Sequence, residues 1–508
     1  MTKLTPYPYQ IENIDRVLAE PTKAAIIASQ VGRGKTLMAS EIAIRAGWKR
    51  VLLIVIGSTF GQWHERLLAQ SEGAVELRRM ESSTEGRAAY EDFLAGAPGY
   101  FAATIQWLQA QDWEYRDKLD LDGNPIPVID KKTGEPTGKN QRERIHLKTF
   151  AKMSARKNGA LDAVIFDEAH QVCSRDSVGR KTLLTFGTEW KIALSATFSG
   201  NSFENSWSLT KWCWPDFIPA YWTWVEQWCK TEEIRIPGGK AVSTVVGEKE
   251  PEGSFIRSLP LFLKDESDEK APEPIDVLCP STPEQTRQFA ELQEDLLTWV
   301  KNWDGDHDPL VVDMPAVLHS RLRQVALAEL SFNEAGEVIF APDAASGKLK
   351  ALKGILELWG DQPAVLFTDS KLFANLTAER MKSAGLNVEV WTGDTSAKDR
   401  AELKRRFMEG EIQYLVATMQ AMGTGTDGLQ RVCNKLVWLS EPDGNPTLAE
   451  QALGRIFRPG RTLRDGGFSH VRLLMADSLD VMIAERLLAK TLSLHRSLSR
   501  EALMGGAA

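Results

Sequence analysis

Two series of short, mainly apolar runs, separated by stretches of helical periodicity, limit this chain's fold more than any other feature. The first series lies at 24–28, 51–56, 163–166 and 192–194, and the second at 364–367, 388–391, 414–417, 436–439 and 471–474. Runs that are mainly apolar, rather than strictly alternating, suit strands buried on both faces. The intervening helices supply the crossovers that parallel strands need. The chain is therefore expected to be α/β, with two doubly wound parallel-sheet lobes, one at 1–200 and one at 346–508.

Between these series the texture changes. The polar stretch at about 112–160 contains the turn steps Asp-Gly, Asn-Pro and Thr-Gly, and predicts a hairpin-like insertion in the first lobe. Residues 201–345 are rich in Trp and in acidic, helix-forming segments such as PEQTRQFAELQEDLLTWVKNW, and predict a helical middle region. A loose, charged connector is expected near KDESDEKAPEP. No repeat of solenoid period is present.

The 508 residues suffice for several domains, and 43% hydrophobic with 26% charged residues fits a folded chain rather than a disordered one. No apolar run approaches the roughly 20 residues that span a bilayer, and the N-terminus lacks the apolar core of a signal peptide. A cytoplasmic protein with no membrane partner is expected, in a bacterial or phage-infected host cell. Cys173, Cys213, Cys229, Cys279 and Cys433 form no C-x-x-C pair, which predicts packed, reduced thiols. His64 and His170 have no partners at metal-ligand spacing. A net charge of −8 argues against coating nucleic acid by bulk attraction. Arg455, Arg458, Arg461, Arg464 and Arg472 are dense enough to allow a local basic face.

The chemistry starts after the run AAIIA, where SQVGRGKT follows. Gly32 and Gly34 bracket Arg33 and let backbone amides curl around a polyphosphate, while the next helix points its positive end at it. In such a loop Lys35 bridges the terminal phosphates of ATP and the Thr36 hydroxyl ligates Mg2+. Ser29 stands where the strict pattern has its first glycine. After the run AVIF come Asp167 and Glu168, placed for magnesium binding through Asp167 and for polarising the attacking water through Glu168. Each motif alone also fits a tight turn or a solvated helix cap.

Lys35-Thr36 and Asp167-Glu168-Ala169-His170 resemble motifs I and II of the superfamily 2 helicases and translocases, and other segments follow in that family's order. Pro8-Tyr9-Gln10 resembles the Q motif, which implies that Gln10 reads adenine. Ser195-Ala196-Thr197 resembles motif III, which implies that Ser195 and Thr197, with His170, couple hydrolysis to lobe movement. The stretch from Ala417-Thr418 to Gly428 resembles motif V, with Asp427 reaching the ATP ribose. Gln451 to Arg458 resembles motif VI, Q-x-x-G-R-x-x-R, which implies an arginine finger at Arg458 with Arg455 beside it, neutralising transition-state charge on the phosphates. The implied fold is a pair of RecA-like lobes with ATP and magnesium between them.

Details lean toward the Swi/Snf-type branch and its phage and bacterial relatives. SGNSFENSWSLTKWCWPDF resembles the branch's N-x-x-E-x-x-W-S-L pattern, and QALGRIFRPGR its Q-A-x-x-R-x-x-R-x-G-Q. There are two departures, Ser-Ala-Thr-Phe for Thr-Gly-Thr-Pro and Arg461 for glutamine.

The resemblance implies nucleic-acid contacts to backbone phosphates from Ser58, Thr59, Thr104, Thr368 and Thr418, although each of these residue types also serves as a cap or turn. Trp222, Trp224 and Trp228 are candidates either for stacking on bases or for core packing. The function expected is an ATP-dependent helicase or translocase, with DNA favoured over RNA as partner. An RNA helicase, a regulatory nucleotide switch and the motor subunit of a larger DNA-processing complex remain alternatives.

Overall fold

Seven parallel strands make the sheet of the first lobe, in the order Phe262–Leu263, Ala24–Ile27, Thr188–Leu194, Leu161–Asp167, Arg50–Ile54, Gly99–Ala103, Leu77–Arg79. A computed structural model describes residues 3–30, 32–109, 113–120, 123–129, 136–146, 160–172, 174–196, 198–200, 202–235, 241–265, 269–312, 314–422, 428–458, 461–462 and 467–498. Leu52 and Ile54 face one core cluster and Val51 and Leu53 the other, because successive side chains of a strand point to opposite faces. Helices cover both faces, so both sets must be apolar, which is why these runs do not alternate.

The second lobe repeats the scheme with six parallel strands, Ile275–Cys279, Ser469–Met475, Lys435–Trp438, Ala364–Thr368, Tyr414–Thr418, Val388–Trp391. Leu366 packs on one side of this sheet and Val365 and Phe367 on the other. Two RecA-like α/β lobes are present, as the sequence implied. Each also has an edge strand from the middle region that the sequence did not reveal. The chain leaves the first sheet at Phe262–Leu263 and enters the second at Ile275–Cys279, an outer strand flanked by Pro274 and Pro280 with Ile275 and Leu278 exposed.

The middle region is helical only in part, which corrects the expectation for it. Helices Ser206–Cys213, Tyr221–Trp228, Pro283–Asp295 and Pro315–Val325 are joined by an antiparallel pair, Cys229–Arg235 with Ala241–Glu248. A small sheet follows, in the order His307–Val311, Leu297–Lys301, Ser331–Phe332, Val338–Ile339. The segment read as continuous helix breaks at Leu296, whose φ of 58° is left-handed. Beyond it Thr298 and Val300 are buried while Trp299 is exposed, the period-two pattern of a strand.

The insertion is a nested hairpin: Trp113–Asp117 pairs antiparallel with Arg142–His146, and Pro127–Ile129 with Pro136–Asn140. Cys213, Cys229, Cys279 and Cys433 are buried free thiols, and Cys173 lies outside the described residues. No described helix is long and apolar enough to cross a membrane.

Candidate nucleotide site between the lobes

The strand Ala24–Ile27 delivers the chain into the glycine turn, and the helix Lys35–Arg45 leaves it. Gly32 and Gly34 have φ of 85° and 79°, a left-handed region that residues with a Cβ rarely adopt. A Cβ on Gly34 would lie 2.3 Å from Gln10 Nε2, so glycine is required there twice over. Gln10 is buried, and its amide donates to the Arg33 carbonyl at 3.0 Å while its oxygen accepts from the Tyr7 amide at 2.9 Å. Tyr9 donates to the same carbonyl, and the Arg33 guanidinium lies 4.3 Å from its ring centre. Pro8-Tyr9-Gln10 thus braces the turn. Thr36 follows at the start of the helix, its carbonyl accepting from Ser40.

Lys35 Nζ folds back to donate to the Ser29 carbonyl at 2.7 Å. Burial lowers the pKa of this ammonium. Glu168 and Asp167 oppose that shift, and Arg455 and Arg458 add to it. Residues from both lobes therefore meet in one electrostatic environment. A hydrogen bond from Thr447 Oγ1 of the second lobe to the Gly200 carbonyl of the first, 3.1 Å, also joins them.

Leu161–Asp167 ends at the paired acids. Asp167 Oδ2 accepts from the indole of fully buried Trp63 at 2.8 Å, and burial with the Glu168 charge raises its pKa. Burial opposes ionisation of Glu168 as well, but a hydrogen bond and charge from His170, with Lys35 and Arg455, outweigh it and hold this carboxyl below its usual range. Glu168 has a φ of 52°, a local strain kept by its surroundings. His170 Nδ1 lies 3.3 Å from Glu168 and 3.0 Å from Ser195 Oγ, so the second and third motifs touch. Thr197 and Asp427 lie outside the described residues.

The donor set fits a magnesium–nucleotide complex. Lys35, Arg455 and Arg458 share an electrostatic environment with Asp167 and Glu168, beside a glycine turn that opens a helix N-terminus. The clustered cations suit a phosphate chain, with Thr36 and Asp167 as the oxygen donors for magnesium.

The nucleic-acid candidates do not converge so clearly. Ser58 is exposed. Thr59 is nearly buried and donates to Ile56, and Thr104 accepts from the Trp107 amide as a cap. Thr418 is nearly buried. Thr368 is corrected: it is 0% exposed, with its hydroxyl bonded to Ser440 and the Ser370 amide, so it presents no surface to a phosphate. Among the tryptophans, Trp224 is 0% exposed and stacks on Phe203, Trp228 packs against Phe255, and Trp222 is 69% exposed. The arginines expected to allow a basic face are engaged in different places. Arg455 and Arg458 lie in the electrostatic field of Lys35, Arg461 pairs with Glu269, and Arg472 with Asp276 and Glu441, while Arg464 lies outside the described residues.

Sequence reasoning missed Trp63, whose bond to Asp167 spans 104 positions, and Asp265, which it read as part of a loose connector. Asp265 instead accepts from Ser29 and Asn13, each at 2.7 Å. No local pattern marks either residue.

Two family models match the chain. Residues 3–200 match the type III restriction enzyme res subunit, and residues 347–460 match the helicase conserved C-terminal domain. Among curated relatives, the RNA helicase CrhR of Synechocystis is 35% identical over 88 residues, 17% of this chain and 18% of its own. The ATP-dependent RNA helicase RhlB of Xanthomonas axonopodis is 28% identical over 163 residues, 32% of this chain and 25% of its own. The DNA repair and recombination protein RAD26 of Saccharomyces cerevisiae is also 28% identical over 163 residues, 30% of this chain and 14% of its own. These matches thus span about a quarter or less of the relatives' lengths. The SWI2/SNF2 ATPase core of Sulfolobus solfataricus in complex with dsDNA aligns over 99% of this chain and 97% of its own, at 18% identity and a TM-score of 0.39. With a res-subunit match over residues 3–200 and a helicase C-terminal match over residues 347–460, the chain belongs to the superfamily 2 helicases and translocases.

Proposed function

We propose that this chain is a nucleic-acid-stimulated ATPase that moves along DNA. The observation that carries the reading is the joining of the lobes at the Thr447–Gly200 hydrogen bond, with Arg455 and Arg458 of one lobe in the electrostatic field of Lys35 on the other. ATP in that cleft is held by Lys35 and the glycine turn, and Gln10 orients the turn from behind. Glu168 takes up the proton of the attacking water, and Arg458 with Arg455 neutralises charge that grows on the phosphate oxygens. Magnesium, when bound with ATP, supplies further charge neutralisation at those oxygens. Ser195 and His170 lie between the acids and the strand end leading toward Gly200, a route by which loss of the terminal phosphate can loosen the lobe contact.

DNA is favoured by the Swi/Snf-like segment after Ser195, whose Trp207, Leu209 and Trp212 are buried on the first lobe, and by the res-subunit match. A cytoplasmic setting supplies both nucleotide and track. The RNA helicases among the relatives favour an RNA substrate instead. Phosphate release measured with duplex DNA, single-stranded DNA and RNA decides between them. Strongest stimulation by RNA would replace the DNA reading, and no stimulation by any of the three, with ATP still bound, would replace it with a nucleotide switch.

A further inference from the structure

The segment that links the lobes grips both of them within five residues. At its start Asp265 Oδ2 accepts from the buried hydroxyl of Ser29 at 2.7 Å and from the amide of Asn13 at 2.7 Å, and the Asp265 carbonyl accepts from the Gln30 amide at 2.9 Å. This end is fixed to the base of the phosphate loop. Four positions later Glu269 forms a two-pronged ion pair with Arg461, with Nη1 to Oε2 at 2.7 Å and a second bond from Nη2 to Oε1. The pair draws Glu269 below the usual carboxylate range. Arg461 also lays its guanidinium over Phe457 at 4.6 Å, and its amide donates to the Arg458 carbonyl at 3.3 Å.

Two departures, one from the strict phosphate-loop pattern and one from the Swi/Snf-type branch, thereby gain one explanation. Ser29 replaces a glycine and Arg461 replaces a glutamine, and each is the residue that holds one end of this link. Four residue steps span at most about 14 Å. While both ends hold, the phosphate loop and the turn bearing Arg458 cannot separate beyond that reach plus two side chains. The ends differ in exposure: Ser29 and Asn13 are buried, whereas Glu269 is exposed, so water competes far better for the second grip.

We infer that Asp265 and Glu269 are positioning residues, forming a strap that keeps Arg455 and Arg458 in register with the phosphate loop, with the Glu269–Arg461 pair as its releasable end. The inference rests on the proposed ATPase reading only for its kinetic consequence. Its geometric consequence stands alone.

The test uses the full chain with spin labels at Leu68→Cys and Leu372→Cys, exposed positions on the two lobes, together with steady-state ATP hydrolysis. Glu269→Arg is expected to broaden the distance distribution between the labels and to lower kcat roughly tenfold or more, because small misplacements of a catalytic group cost that much, while binding of a fluorescent ATP analogue stays near that of the unaltered chain. The swap Glu269→Arg with Arg461→Glu is expected to restore distances and kcat together. Asp265→Asn acts at the other end and raises KM for ATP more than it lowers kcat. Unchanged distances in Glu269→Arg, or a swap that fails to restore them, would overturn the strap. Absence of hydrolysis by the unaltered chain would instead remove the ATPase reading, and the distances would still decide the strap.

Discussion

Glu168 combines a left-handed backbone, a buried carboxyl and contact with His170, three features that make sense together only if the carboxylate must be held in one orientation. Glu168→Gln keeps the shape and removes the base. Phosphate release is expected to fall by roughly 10²–10⁴-fold, with nucleotide binding retained; hydrolysis near the unaltered rate would take Glu168 out of that role. Gly34→Ala is a different kind of change, since the methyl meets Gln10 and a left-handed φ costs a residue with a Cβ about 1–2 kcal/mol. It is expected to weaken binding of a fluorescent ATP analogue and lower the midpoint of thermal unfolding. At this scale the sequence was most readable where the chemistry is local, as in the glycine turn and the paired acids. Asp265 shows the limit, because its partners Ser29 and Asn13 lie 236 and 252 positions away and nothing in KDESDEKAPEP distinguishes it from a solvated charge.

The central strands were legible because burial on both faces leaves an unbroken apolar run. The edge strands were not, since Phe262–Leu263 has two residues and Leu77–Arg79 three, too short to show a period. The small sheet of the middle region was hidden for a related reason: TRQFAELQEDLLTWVK has helix formers on both sides of the break, and only the alternation of Thr298, Trp299 and Val300 betrays the strand. Leu296 closes the helix in a conformation that glycine adopts without strain, and its side chain is exposed. Leu296→Gly is therefore expected to be neutral or to stabilise by up to about 1 kcal/mol, and Leu296→Val to destabilise by a similar amount, as read from thermal midpoints. A large loss with glycine would mean that packing, not backbone strain, holds this corner.

Across the whole molecule, the meeting of Lys35 with Arg455 and Arg458 brings together residues more than four hundred positions apart. No periodicity reports such proximity; only the order of motifs implied it. Arg458→Ala is expected to lower nucleic-acid-stimulated hydrolysis by about 10³-fold or more, while the far-ultraviolet circular dichroism spectrum stays that of the unaltered chain. Loss of both together would mean that the arginine supports the fold rather than the reaction.

The outer strand Ile275–Cys279 has a colloidal consequence. Its outer side, without a strand partner among the described residues, offers a template on which a second chain can build cross-chain sheet, and Ile275 and Leu278 would be the adhesive. Pro274 and Pro280 keep the template short, and Asp276, clasped by Arg472 at 2.7 Å, sets a charge in its middle. Asp276→Val leaves the run IVVLC, and light scattering at high concentration is expected to rise with it; a solution that stays clear would show that the prolines alone suffice.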